Sequence, residues 1–88
     1  MLSAQQWRVI LALLEDGSRP ADPILREGEI LDSEEYLTVC YELHHVLLPE
    51  LAEAGFVEFD RDKDEVRRGT RFEEVRRFLE LIDHLHEE

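Results

Sequence analysis

Between Leu43 and Arg68 the chain changes its periodicity twice. Leu43, Leu47 and Leu51 keep helical spacing, and Gly55 follows, suited to the left-handed position just past a helix end. Such a stop lets Phe56 fold back over Leu51. Val57 and Phe59 then alternate with Glu58 and Asp60, the pattern of a half-buried strand. Asp60 to Asp64 are rich in aspartate, which tolerates tight turns, and Val66 opens a returning strand. Helix, glycine stop, strand, charged turn and strand leave few folds open.

The rest of the chain supplies more helices. Ser3-Ala4-Gln5-Gln6 reads as a capping box, and Trp7, Ile10, Leu11 and Leu14 follow at i, i+3, i+4 and i+7 up to Gly17. Asp22-Pro23 offers an N-cap and a proline in the first turn, which predicts a short second helix through Ile24 and Leu25 to Gly28. A third helix, about 33–54, opens where Asp32 and Glu35 form a second cap-like pair. Its stripe is Tyr36, Cys40, Leu43, Leu47 and Leu51, widened by Val39 and Val46. Pro49 should kink or split it, because the ring removes the hydrogen bond to the His45 carbonyl. A hairpin over about 56–68 and a last helix over about 71–86 complete the chain. Phe72, Val75, Phe78, Leu79, Ile82 and Leu85 give that last helix one broad apolar face. The expected fold is mainly α with a two-stranded β-hairpin wing: a winged helix-turn-helix with an additional C-terminal helix.

Eighty-eight residues allow one small domain, 1–88, which buries about 60–65% of its unfolded-chain surface. No apolar run approaches the ~20 residues that span a bilayer, and no basic start with an apolar core marks a signal peptide, so a cytoplasmic location is expected. The lone Cys40 excludes an internal disulfide and is expected as a buried thiol. The net charge is −12, from 22 acidic and 10 basic residues. Acid-rich, lysine-poor surfaces suit a salt-loaded cytoplasm: near 1 M salt the screening length falls to ~3 Å and self-repulsion fades.

The run His44-His45-Val46-Leu47-Leu48-Pro49-Glu50-Leu51-Ala52-Glu53-Ala54-Gly55-Phe56-Val57-Glu58-Phe59-Asp60 resembles a family of small haloarchaeal winged-helix domains of unassigned function. Members carry a pattern like Tyr-His-x-His-Leu-Pro-x-Leu-Ala-x-Ala-Gly-Val-Val-x-Tyr-Asp before the wing. The likeness covers about residues 33 to 68, and the first helix more loosely. The same segment is similar to the helix and wing of the wider ArsR-like winged helix-turn-helix regulators, which often show Leu-x-x-Ala-Gly-Leu-Val. The resemblance implies DNA binding and transcriptional control. Three departures bear on that. Ser33-Glu34-Glu35-Tyr36 stands where members often open the third helix with basic residues, Leu47 replaces the second histidine of the pattern, and His44 stands for the aromatic before the first.

Candidate functional residues follow from charge. Arg61, Lys63, Arg67, Arg68, Arg71, Arg76 and Arg77 are seven of the ten cations. A wing bearing Arg61, Lys63, Arg67 and Arg68 can grip phosphates without reading bases. Equally, five carboxylates between Glu58 and Glu65 can neutralise it into a salt-laced hairpin. On the third helix Thr38, Tyr41 and His45 are candidates for DNA contact, but this helix has five acidic residues and no Arg, Lys, Asn or Gln, the usual base readers. His44, His45, His84 and His86 show no metal-binding spacing, and no serine, glycine-rich loop or carboxylate pair marks a catalytic site. Neither an enzyme nor a cofactor or metal is expected. The sequence predicts a DNA-binding transcriptional regulator of a halophilic archaeon. The alternative is a winged-helix protein-interaction module that does not read DNA and binds a partner through the acidic third helix or the C-terminal helix. A homodimer is expected through Phe72, Val75, Phe78, Leu79, Ile82 and Leu85, and no membrane contact.

Overall fold

The computed structural model describes the backbone of residues 2–86 and the side chains of residues 2–82. It is a mixed α+β fold of three helical segments and a three-stranded antiparallel sheet. Helix α1 spans Ala4–Asp16. Its N-terminus carries the expected capping box: the Gln6 amide N–H donates to the Ser3 hydroxyl, and the Ser3 amide N–H donates to the Gln6 side chain. Gly17, at φ 78°, ends it in the left-handed region.

No second helix follows. Residues 21–32 are irregular, with one turn at Gly28. Both backbone groups of Ile24 are taken by the Gln5 amide, at 2.9 and 3.0 Å, and Arg8 adds a third bond to the Ile24 carbonyl at 2.8 Å. A helix of that length is marginal in water, and these side chains occupy the Ile24 backbone groups instead. Before this loop lies a strand the sequence pattern did not announce, β1 (Ser18–Pro20), too short to show alternation. It pairs with β3 (Glu65–Arg68), Arg19 opposite Val66, while β2 (Val57–Asp60) pairs with the other edge of β3. The expected two-stranded wing is thus a three-stranded sheet of order β1-β3-β2. Pro20 is accommodated because β1 is an edge strand.

The long helical run has three parts: α2 (Ser33–Glu42), a π-helical turn (Leu43–Leu47) and α3 (Leu48–Glu53). The Asp32–Glu35 capping box opens α2 as expected. The disturbance expected at Pro49 lies one turn earlier: the ring faces the carbonyl of His45, and the wide turn that contains His45 absorbs it, with the Leu48 N–H bonded to Leu43. An extra residue in a turn shifts helical phase by roughly 100°. That shift gathers Leu43, Leu47, Leu48 and Leu51 onto one buried face and turns Val46 outward. The helix then ends at Gly55 (φ 87°) in a Schellman stop, Phe56 N–H to Leu51 and Gly55 N–H to Ala52, both 3.0 Å.

The core joins Val9, Ile10 and Leu13 of α1 to Ala21, that leucine face, Val57, Val66 and Phe72. Phe72 opens α4 (Phe72–His86). Gln6 is buried with them, its amide satisfied by the Leu47 carbonyl at 3.1 Å. Gly69 permits the closest backbone approach: a Cβ there would lie 2.4 Å from the Gly55 carbonyl oxygen. No helix among the described residues is long and apolar enough to cross a membrane.

Candidate nucleic-acid interface

The hairpin turn is built by aspartates. The Asp60 carboxylate accepts from the backbone N–H of Asp62 and Lys63, at 3.0 and 3.1 Å, and Asp64 adopts φ 53°. Arg61 and Lys63 are exposed at this turn. Neither belongs to an ion pair among the described residues, and Arg61 lies over the Phe59 ring at 5.5 Å.

The other cations of the segment are engaged. Arg67 lies between two carboxylates, 4.0 Å from Glu58 and 3.6 Å from Glu65. Arg68 turns inward, donating to the carbonyls of Leu13 and Leu14 at 2.6 and 2.8 Å and resting over Phe72. Those carbonyls belong to the last turn of α1, which has no basic residue of its own there. Arg68 is therefore a helix C-terminal cap supplied from β3, complementing the dipole, and not part of the hairpin's outer surface as the sequence suggested. Arg71 does the same for α3: its guanidinium donates to Ala54 at 3.0 Å and to Glu74 at 2.6 Å. The Arg71 hydrogen bond and charge hold the Glu74 carboxyl below the usual carboxylate range. Arg76 lies 3.6 Å from Glu73. Much of the basic cluster therefore ties the fold together.

Thr38 and Tyr41 on α2 and His45 in the π turn are all exposed, as expected. Thr38 donates back to the Glu34 carbonyl at 3.0 Å, and the Tyr41 and His45 rings lie 4.4 Å apart. Glu34, Glu35 and Glu42 are exposed around them. Residues 27 to 60 contain ten carboxylates and no Lys or Arg.

His44 has a role that spacing could not reveal. Its Nε2 bonds the Ala21 carbonyl and lies 3.5 Å from the Asp64 carboxylate, and its ring is 5.8 Å from that of Phe59. It fastens the helical run to the hairpin turn and to the residue that follows β1. Cys40 is half-buried rather than enclosed. Among the described residues no group of His, Cys, Asp and Glu is placed to hold a metal. His84 and His86 lie outside the described side chains.

The apolar face of α4 divides in two. Phe72 is 2% exposed, a core residue and not an interface residue, and Val75 and Leu79 pack against the core. Phe78 and Leu81 are exposed, at 54% and 61%. Trp7, Phe56, Val75 and Phe78 border an open hollow of ≈ 300 Å³ between α1 and α4. Ile82 is half-buried, and Leu85 lies outside the described side chains.

Residues 1–67 match the family model described as Domain of unknown function (DUF7344), which stops before Arg68 and α4. No curated protein and no solved structure gives a significant match.

Proposed function

The chain belongs to that family, and we propose that it is a winged-helix DNA-binding regulator that grips phosphates with its hairpin and does not read bases with α2. The element order α1-β1-α2/α3-β2-β3 and the sheet order β1-β3-β2 resemble a winged helix-turn-helix, with α4 added and an extended loop in place of the middle helix. Fold likeness alone is a weak warrant. The observation that carries the reading is that Arg61 and Lys63 are exposed at the hairpin turn and in no ion pair among the described residues. Phosphate contacts fix a protein on the duplex without sequence information. The acidic α2 supplies none of the usual base readers.

The net charge of −12 opposes such binding at low salt and is screened at high salt, so the reading places the protein in the cytoplasm of a halophilic archaeon. Retention of fragmented genomic DNA at molar KCl tests it. The wild type should be retained at molar KCl. Arg61→Gln with Lys63→Gln should abolish retention, while Arg67→Gln should change little. Equal retention of the double variant, or none by the wild type, refutes the proposal.

The reading includes a homodimer through Phe78, Leu81, Ile82 and Leu85 of α4, an isologous contact. Phe78→Glu should then sediment as a folded monomer and the wild type as a dimer; identical masses would remove it. A second reading, a protein-interaction module that does not bind DNA, is favoured by the apolar residues that α2 exposes beside its carboxylates.

A further inference from the structure

Helix α2 buries none of its residues. Its outer face carries Leu37 and Tyr41, 69% and 67% exposed, one turn apart, and the next turn adds His45, whose ring lies against Tyr41. Large apolar residues in a row on an exposed helix mark an interaction surface more often than isolated ones do. This row is bordered on the same helix by Glu34 and Glu42, both exposed and outside any ion pair among the described residues. Tyr41 and His45 each present a flat ring, on which a guanidinium or ammonium group can rest.

We propose that this face is a docking surface for a basic amphipathic protein helix, one whose apolar residues cover Leu37 and Tyr41 while its Lys or Arg side chains meet Glu34 and Glu42. Charge complementarity selects the occupant. A nucleic acid would bring phosphates against a surface without a single Lys or Arg from residue 27 to residue 60. A second copy would bring its own excess of acid, −12 per chain. A basic helix satisfies both the exposed apolar row and the exposed carboxylates, in the helix-against-surface mode of recognition. The site is separate from the hairpin turn, so it stands whether or not the protein binds DNA.

The test uses the full chain and three synthetic helical peptides: one of Lys, Leu and Ala with its leucines on one face, one with those leucines replaced by Gln, and one with Glu in place of Lys. The first should bind and shift the amide resonances of residues 34–45. The other two should bind at least about tenfold more weakly. Leu37→Ser with Tyr41→Ser should weaken the first peptide by about tenfold or more, and Glu34→Gln with Glu42→Gln should weaken it chiefly at low salt. Unchanged melting of these surface variants shows that folding is intact. Equal binding of the leucine-free peptide, resonance shifts confined to α4 or the hairpin, indifference to the Leu37 and Tyr41 changes, or self-association lost in those variants overturns the proposal.

Discussion

The two ends of the helical run from Ser33 to Glu53 behave as different kinds of helix. The α2 end has a capping box and good apolar spacing, and buries nothing. In the π turn and α3, Leu43, Leu47, Leu48 and Leu51 are all buried. The difference comes from what lies opposite. Against the leucine face stand α1, β2 and Phe72, whereas the inner side of α2 shares an open cleft with the loop 21–32 and the start of α1, and its outer side faces solvent. Amphipathic spacing therefore predicts that a segment is helical, while burial depends on whether another element arrives to cover it. The uncovered end is where a partner can act.

Paired truncations break or confirm that contrast most directly. Leu48→Ala should cost about 2–5 kcal/mol, because it leaves a cavity in a closely packed core. Leu37→Ala, of the same chemistry on the exposed end, should stay within about 0.5 kcal/mol. Denaturant unfolding measures both, and similar costs would show that α2 is packed after all.

The caps give a smaller and sharper comparison, since α1 and α2 carry the same kind of capping box. Ser3→Ala should lower global stability by about 1 kcal/mol, because α1 unfolds only with the core. Asp32→Ala removes an equivalent bond from a helix that can fray alone, so its loss should appear as faster amide exchange over residues 33–39 with little change in melting. A global loss matching that of Ser3→Ala would mean that α2 unfolds cooperatively with the rest.

Acid titration probes one carboxylate on each side and has the smallest expected effect. Glu74, beside the end of α3, is held below its ordinary 4.5 by Arg71. Glu29, in the loop before α2, is lowered chiefly by the backbone N–H of Arg26, with Arg8 and Arg26 adding charge. A carboxylate whose value is depressed on folding contributes stability above its unfolded value and loses it as pH falls through the folded one. Both contributions should therefore fade in the acid range below about 4.5. Carbon NMR titration of Arg71→Gln should return Glu74 to the ordinary value and leave Glu29 lowered; an unmoved Glu74 would contradict the pairing.

Much of the local structure was legible before any coordinates. Capping boxes at Ser3 and Asp32, stops at Gly17 and Gly55, and the aspartate turn at 60–64 each depend on residues within a few positions of one another, where backbone sterics and short hydrogen bonds decide. The site residues were less legible for the same reason. Arg68 looked like a hairpin cation, yet it spends its donors on the carbonyls of Leu13 and Leu14. His44 looked like one of several scattered histidines, yet it fastens Ala21 and Asp64 to the helix.

Tertiary structure decided the remainder. The segment after Asp22-Pro23 has the local signs of a helix, but Gln5 and Arg8 claim the Ile24 backbone, and a short helix is too marginal to compete. Ser18–Pro20 has no strand signal of its own and becomes β1 only because β3 offers it an open edge. The π turn before Pro49 adds the phase shift that makes Leu48 core and Val46 surface, a choice that pays off only when α1 and the sheet are already there to be packed against. Signals carried by neighbours in the chain are read from the chain. Which groups meet across it is settled by collapse, when each donor, carbonyl and apolar face takes the partner that the assembled fold puts within reach.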